Sequence, residues 1–257
     1  MVQYPYGLSQ DAIDILMKNP FLDEDSALYI KDAPDEVFMQ SPLLRQVHRI
    51  LEAVSVNPNG LLLTDTKLFP NALKWELYRL GQPEKRVDDT PRVNLEEIIV
   101  WNISIARAIC LQAGLTTTRR HRMLITKKGK AVIDDKRMLL ATIMNILCTK
   151  FNWGYRIERP IVPSVHDGCA PLLLHLMEID SAQTAHFYRV KLEKLYRPDL
   201  EPYGRFDKFR SDEELDTRVS IYVFERYLWQ LGLVDISSGK YYSDDGLMKI
   251  RRSRLFD

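Results

Sequence analysis

The sequence predicts a mainly α-helical fold with small β-hairpins. Apolar residues recur at helical spacing over several stretches, and clusters of Gly, Pro and Asn separate these stretches. Two of the helical stretches end at Gly-Leu and continue into short strand-like segments around a tight turn, at Cys110–Lys130 and Trp229–Leu255. A looser version of the same pattern runs from Ile50 to Phe69. We therefore expect two or three units of similar construction.

The segment Val93–Lys130 shows the pattern most clearly. Asn94 is a candidate helix cap, Gly114 is the expected stop, and the predicted apolar stripe is Ile98, Trp101, Ile105, Ile109 and Leu111. The hairpin that follows has the predicted strands Leu115–Thr118 and Met123–Thr126, the charged tip Arg119–Arg122, and the closing residues Lys127, Lys128 and Gly129. A helix followed by Gly-Leu and a basic hairpin is typical of a winged-helix unit.

The elements before this segment have clear start and stop signals. Ser41-Pro42 begins a helix whose predicted buried face is Leu43, Leu44, Val47, Ile50, Leu51 and Val54. A turn at Asn57–Gly60 precedes a short strand at Leu61–Thr64. A second helix is predicted at Asn71–Leu80, because Gly81 and Pro83 follow it.

The elements after the segment are mainly helices. They are predicted at about Asp134–Lys150, from Pro171 to Ile179, at Ser181–Leu195 and at Val219–Leu231. A strand at Gly232–Ile236 and the returns Lys240–Tyr242 and Leu247–Phe256 complete the chain. These predictions divide the protein into an acidic arm (1–40), a winged-helix-like domain (41–133) and a helical domain ending in a second winged-helix-like unit (134–257).

Composition excludes several classes of protein. Cys110, Cys148 and Cys169 are odd in number and widely spaced, which favours reduced thiols and a cytoplasmic location. The first residues do not have the charged and apolar regions of a secretory signal, and no apolar run is as long as a membrane span. Metal-binding spacings and phosphate-binding glycine motifs are also missing, so we expect no metal and no cofactor.

Charge is distributed unevenly along a chain whose net charge is +1. The first forty residues are mostly acidic, whereas basic residues concentrate at Arg119–Lys130 and Lys249–Arg254. This distribution fits a nucleic-acid-binding protein with an acidic arm, and it equally fits segments of one protein that attract each other.

The main functional hypothesis is a non-enzymatic, DNA-associated regulatory protein. The predicted contacts with double-stranded DNA are Arg119, Arg120, Arg122, Lys127, Lys128 and Lys130. The arginines of the wing tip would approach phosphates or the minor groove, and the lysines would add backbone contacts. The helix before the wing has few side chains suited to reading bases, so Asn71–Arg79 or the wing would make more of the contacts. Ordinary solvated charge on a hairpin tip is the alternative interpretation.

Two further hypotheses remain. The first is a protein-interaction or structural module, either a homo-oligomer or a docking partner, because the aromatic residues Tyr222, Phe224, Tyr227 and Trp229 cover more than one face of a helix. Burial of that helix on both sides within one chain is the alternative. The second is an enzyme using His166 and Cys169 in a loop, but the sequence offers no third group to orient them. We therefore predict no catalytic residues.

Four motifs resemble a known family. LLLTDTKLFPNALKWEL, LQAGLTTTRRHRMLITKKGKAVI, KFNWGYRI and the terminal GLV with KIRRSRLF are similar to the helical winged region beside the Ri-plasmid ORF-three-like domain of bacterial and mobile-element proteins. The likeness covers roughly residues 43–257, without the ORF-three-like domain itself. Lys67 stands where that family usually has Gly. The resemblance implies a winged fold and a mobile-element or regulatory context, and it implies no catalytic residues.

Overall fold

The computed structural model describes residues 11, 14–15, 20–82, 100–151, 165–191, 212–237, 248–253 and 255. The helices of the first part of the chain are α1 (Asp35–Phe38), α2 (Pro42–Ser55), α3 (Asn71–Leu80), α4 (Trp101–Gln112), α5 (Lys127–Val132) and α6 (Lys136–Thr149). The strands among them are β1 (Leu61–Leu62), β2 (Thr116–Arg119) and β3 (Arg122–Ile125).

The later part of the chain repeats this mixture. Its helices are α7 (Val165–Glu178), α8 (185–191) and α9 (Asp212–Val219), and α9 continues through a π-helical stretch, Ser220–Leu228, into a last turn, Trp229–Leu231. Its strands are β4 (Gln183–Thr184), β5 (Val234–Ser237) and β6 (Lys249–Arg252). The prediction of a mainly α-helical fold with small β-sheets is confirmed. None of the described helices is both long enough and apolar enough to cross a membrane.

The chain forms two compact units. We call Asp32–Ile146 with Gln230–Gly232 the first unit. The second unit is Met1–Lys31, Leu147–Trp229 and Leu233–Asp257. The predicted domains had their boundaries after residues 40 and 133 instead.

Helix α2 lies at the centre of the first unit. The Ser41 hydroxyl caps it by accepting a hydrogen bond from the Leu44 amide at 3.2 Å, and Pro42 occupies its first turn, where no amide hydrogen is needed. The whole predicted apolar face is buried, namely Leu43, Leu44, Val47, Ile50, Leu51 and Val54. The Gln46 side chain also faces inward and donates to the Leu77 carbonyl of α3 at 2.9 Å. Both α3 and α4 pack against α2.

The first unit has a three-stranded antiparallel sheet in the order β1-β3-β2. Leu61 pairs with Met123, and Thr116 pairs with Ile125. Met123 is fully buried because it is on the central strand, and helix α2 packs on that strand. The predicted strand at Leu61–Thr64 is therefore present but shorter, and it joins the hairpin as its third strand.

The second unit has an aromatic core and a sheet of the same kind. The ring centroids of Tyr188 and Phe224 lie 5.1 Å apart, and those of Phe151 and Tyr227 lie 5.5 Å apart. All four side chains are buried, so Phe224 and Tyr227 of α9 pack inside the protein. Burial raises the pKa of Tyr188 to about 12. The sheet has the strand order β4-β6-β5.

The two units share one order of elements. The first unit runs α2, β1, α3, α4, β2, β3, and the second runs α7, β4, α8, α9, β5, β6. In each sheet the last strand in sequence lies between the other two. The prediction that helix, Gly-Leu and strand occur in succession twice is confirmed, at Gln112–Thr116 and Leu231–Val234.

The same hydrogen bonds join helix to sheet in both units. Gly114 and Gly232 have φ values of 67° and 75°, which are conformations that glycine adopts without a steric penalty. The amide after each glycine donates to a carbonyl five residues earlier at 2.9 Å, as in a Schellman cap. The residue after each last strand, Thr126 or Ser253, donates to the carbonyl of that same post-glycine leucine at 3.0 Å. Each hairpin is thus fixed to the end of its preceding helix.

Several local predictions were wrong. Helix α4 begins at Trp101, and the predicted cap Asn94 lies outside the described residues. Leu111 was placed on the buried stripe but is 38% exposed, because the helix turns its final residues to solvent. Helix α7 begins at Val165, so His166–Cys169 is helical rather than a loop.

The cysteines also differ from expectation. Cys110 is a free thiol, as predicted, and it is fully buried, but Cys148 forms a disulfide. The expectation of three reduced thiols is therefore wrong for Cys148.

Candidate nucleic-acid interface

The predicted wing is a tight antiparallel hairpin formed by β2 and β3. Arg119 pairs directly with Arg122, so only Arg120 and His121 form the turn. Their φ values are 46° and 57°. Two-residue turns with positive φ at both positions are usually made by Asn-Gly or Asp-Gly, because side chains disfavour this conformation by about 1–2 kcal/mol per residue. The charged tip that the sequence predicts is present, and its backbone is strained.

The rest of the sheet holds the tip in place. The His121 carbonyl accepts a hydrogen bond from the Leu63 amide at 2.8 Å. The Arg122 guanidinium donates to the Gly60 carbonyl at 3.1 Å. The turn is therefore supported from the β1 side, and this support offsets part of the strain at Arg120 and His121.

The six predicted contact residues separate into two groups. Arg119, Arg120 and Arg122 lie at the tip, whereas Lys127, Lys128 and Lys130 lie on α5, beyond the other end of β3. A four-residue strand separates the groups by roughly 13 Å. The lysines that were expected to close the hairpin begin a new helix, which the sequence did not predict, because Thr126 caps it by accepting a hydrogen bond from the Gly129 amide at 3.0 Å.

Four of the six side chains are available at the surface. The side chains of Arg119, Arg120, Lys127 and Lys130 are exposed and make no hydrogen bond or ion pair within the described part of the chain. The two others have internal roles, and these roles are structural. Arg122 binds the Gly60 carbonyl, and the Lys128 ammonium donates to the Ala113 carbonyl near the end of α4 at 2.9 Å.

The segment around the wing has a strong positive charge. No Asp or Glu occurs between Glu97 and Asp134, and the seven basic residues there are Arg107, Arg119, Arg120, Arg122, Lys127, Lys128 and Lys130. The basic residues of β6 have acidic neighbours instead. Arg251 lies opposite Asp235, and Arg252 forms an ion pair with Asp180 at 2.9 Å. The first hairpin therefore has the larger unbalanced charge.

The helices of the first unit are poorly placed to read bases. Most of α4 is buried, including Asn102, Ile103, Ser104, Ile105, Ala106, Ile109 and Cys110. Helix α3 buries Leu73, Lys74, Leu77 and Tyr78, and among its basic residues only Arg79 is exposed. Of the two expected alternatives, Asn71–Arg79 and the wing, the wing exposes more basic side chains.

The candidate pair His166 and Cys169 lies in α7, and the side chains of both residues lie outside the described part of the structure. Among the described groups, burial raises the pKa of the Cys110 thiol to about 12, so this cysteine is protonated near neutral pH. His175 is mostly buried, and desolvation lowers its pKa despite the nearby carboxylate of Glu178. Among the described residues, no group of three or more His, Cys, Asp or Glu side chains could hold a metal ion.

His186, Arg189 and Asp216 form a polar cluster that no sequence pattern predicted. The His186 Nδ1 atom lies 2.9 Å from one carboxylate oxygen of Asp216, and the Arg189 Nε donates to the other. Arg189 is buried, whereas the His186 side chain is half exposed. The cluster joins α8 to α9, and this pairing across 30 residues of sequence has no local signal. We assign it a structural role.

Comparison with known proteins adds no relative, because no protein-family model, curated protein or solved structure matches the chain significantly.

Proposed function

We propose that the chain is a non-enzymatic, DNA-associated regulatory protein. In this proposal the first unit is a winged-helix-like domain, and the hairpin β2–β3 is the wing that contacts duplex DNA. The order α2, β1, α3, α4, β2, β3 and the sheet order β1-β3-β2 support the winged-helix interpretation. The second unit, with the same order of elements, is its structural counterpart. The resemblance to a winged region of mobile-element proteins favours the same context.

The observation that carries the proposal is that basic residues violate three local rules in one short segment. Arg119 stands directly opposite Arg122, although like charges in a cross-strand pair are destabilising. Arg120 and His121 occupy turn positions that favour glycine and asparagine. The first turn of α5 has lysines and no acidic residue, against the helix dipole. Departures from local rules are expected at functional sites, and an anionic partner would explain all three.

Fluorescence anisotropy with a labelled random-sequence duplex tests the proposal at low salt. We expect the wild-type protein to bind and the double variant Arg119→Ala/Arg120→Ala to bind at least tenfold more weakly, because two positive charges that face the DNA are removed. The matched control is Lys249→Ala/Arg251→Ala, which removes the same charge from exposed positions on β6. Equal affinities of the two variants would contradict the proposal.

A docking role is the second candidate, and exposed apolar side chains on the first unit favour it. Val56 is 76% exposed after the end of α2, and Leu62 is 57% exposed on the edge strand β1. Apolar side chains of this kind are common at protein interfaces, although single ones also occur on ordinary surfaces. Sedimentation of the wild type and of Val56→Ser/Leu62→Ser tests this role. Self-association that the substitutions abolish would support it, and a monomer at all concentrations would leave only a different protein as partner.

A further inference from the structure

We propose that the wing tip inserts Arg120 into the DNA minor groove and that the protein therefore prefers duplexes rich in A·T pairs. This inference rests on the proposed DNA contact and specifies the groove, the inserted residue and the sequence class.

Burial of α4 argues against this helix as a reader of the major groove. Helices that read the major groove do so mainly with N-terminal residues. The exposed residues of α4, Leu111 and Gln112, are at its C-terminal end instead. Near its middle, Arg107 donates to the Lys67 carbonyl and lies over the Phe69 ring. The hairpin therefore exposes more basic side chains than α3 or α4 does.

The hairpin tip offers single side chains, which a minor groove can admit. The groove is about 6 Å wide, which admits single side chains but not a helix. Arg119 and Arg122 are the last paired residues, and only Arg120 and His121 extend beyond them. Arg120 is exposed and makes no hydrogen bond or ion pair with the described residues. It is the longer of the two tip side chains and has a permanent charge.

The chemistry of the groove provides the sequence preference. A·T tracts have a narrow minor groove with an enhanced negative potential, which attracts an inserted arginine. A G·C pair places the 2-amino group of guanine in the same groove. Arg119 remains beside the groove in this arrangement, where its charge faces phosphates. Arg120 should therefore control preference between sequences, and Arg119 should control affinity for all of them.

The test compares three duplexes of equal length, built from A·T, G·C and I·C pairs. Inosine removes the guanine 2-amino group from the minor groove and keeps the major-groove pattern of a G·C pair. We expect the protein to bind A·T and I·C duplexes with similar affinity and G·C duplexes on the order of tenfold more weakly. Arg120→Ala should reduce this ratio to about one, while Arg119→Ala should weaken all three and keep the ratio.

Each other outcome overturns the inference in a recognisable way. An I·C duplex that binds as weakly as G·C would indicate major-groove reading, and equal binding to all three would indicate phosphate contacts alone. Both results leave the proposed DNA contact intact. Absence of binding to every duplex would overturn this inference and the proposed function together. Retention of the tenfold ratio in folded Arg120→Ala protein would assign the preference to another residue.

Discussion

At the residue scale, positive φ angles at non-glycine residues distinguish two turns of the first unit. Arg120 and His121 form the wing tip, and Lys67 has a φ of 61° in the turn that follows β1. The family resemblance expects glycine at the Lys67 position, which agrees with this backbone conformation. We interpret the strain at the tip as the consequence of a binding function, and we assign no such function to Lys67.

Replacing the strained tip residues by an unstrained turn should stabilise the fold and weaken DNA binding. Arg120→Asn/His121→Gly introduces the Asn-Gly pair that two-residue hairpins favour, so unfolding in urea should require about 1–2 kcal/mol more free energy. Affinity for duplex DNA should fall in the same variant. The control is Lys67→Gly, for which we expect about 1 kcal/mol of stabilisation and unchanged DNA affinity. A tip variant that keeps wild-type affinity would show that the tip does not contact DNA.

The cysteines give a second prediction at this scale. Because burial raises the pKa of Cys110 to about 12, the folded protein should not react with iodoacetamide at neutral pH. In denaturant without reductant, mass spectrometry should find Cys110 alkylated and Cys148 unmodified. Alkylation of Cys148 under these conditions would contradict the disulfide. It would also restore the expectation of reduced thiols, which are usual in cytoplasmic proteins.

At the element scale, the junction of the hairpin with α5 depends on a close backbone approach. A Cβ atom added at Gly129 would lie 2.2 Å from the Leu115 carbonyl oxygen and 2.9 Å from a side-chain carbon of Ile125. Gly129→Ala should therefore displace α5 and cost about 1–3 kcal/mol of unfolding free energy in urea. The comparison variant is Gly114→Ala, where no packed neighbour beyond the adjoining residues lies within 4 Å and only the positive φ disfavours alanine. A smaller loss for Gly129→Ala than for Gly114→Ala would contradict this packing.

Local signals explain which elements the sequence predicted. Helix α2 has a serine cap, a proline in its first turn and a regular apolar face, and its whole predicted face is buried. Gly114 ends α4 as expected. Its left-handed backbone conformation lets the Leu115 amide donate a hydrogen bond to the Cys110 carbonyl. Helix α5 was missed because its sequence, KKGKAV, is short and has a central glycine. Its start depends on Thr126 and on contacts with the Leu115 carbonyl, which are tertiary features.

The sequence could predict only those candidate site residues that are neighbours along the chain. The tip residues Arg119–Arg122 appear together in the chain, and the hairpin keeps them together. Sequence alone could not show that Arg122 and Lys128 have internal partners, because Gly60 and Ala113 approach them only in the folded unit. The cluster of His186 with Asp216 was missed for the same reason.

At the scale of the whole molecule, the two units repeat one construction with different charge. Both fix a hairpin to the preceding helix through a glycine cap and two equivalent backbone hydrogen bonds. In the first unit the hairpin has unbalanced positive charge. In the second, basic residues of β6 are near Asp180 and Asp235. The proposed DNA contact is therefore placed at the first hairpin, although the net charge of the chain is only +1.

The salt dependence of duplex binding tests this assignment most directly. The dissociation constant should be measured by anisotropy from low to physiological salt for three proteins: the wild type, Arg119→Ala/Arg120→Ala and the control Lys249→Ala/Arg251→Ala. Each lost phosphate contact lowers the slope of log affinity against log salt by about 0.9. We predict wild-type binding that weakens steeply with salt, and a slope lower by about one to two only in the first variant. Absence of wild-type binding at low salt, or equal slopes in all three proteins, would contradict the account.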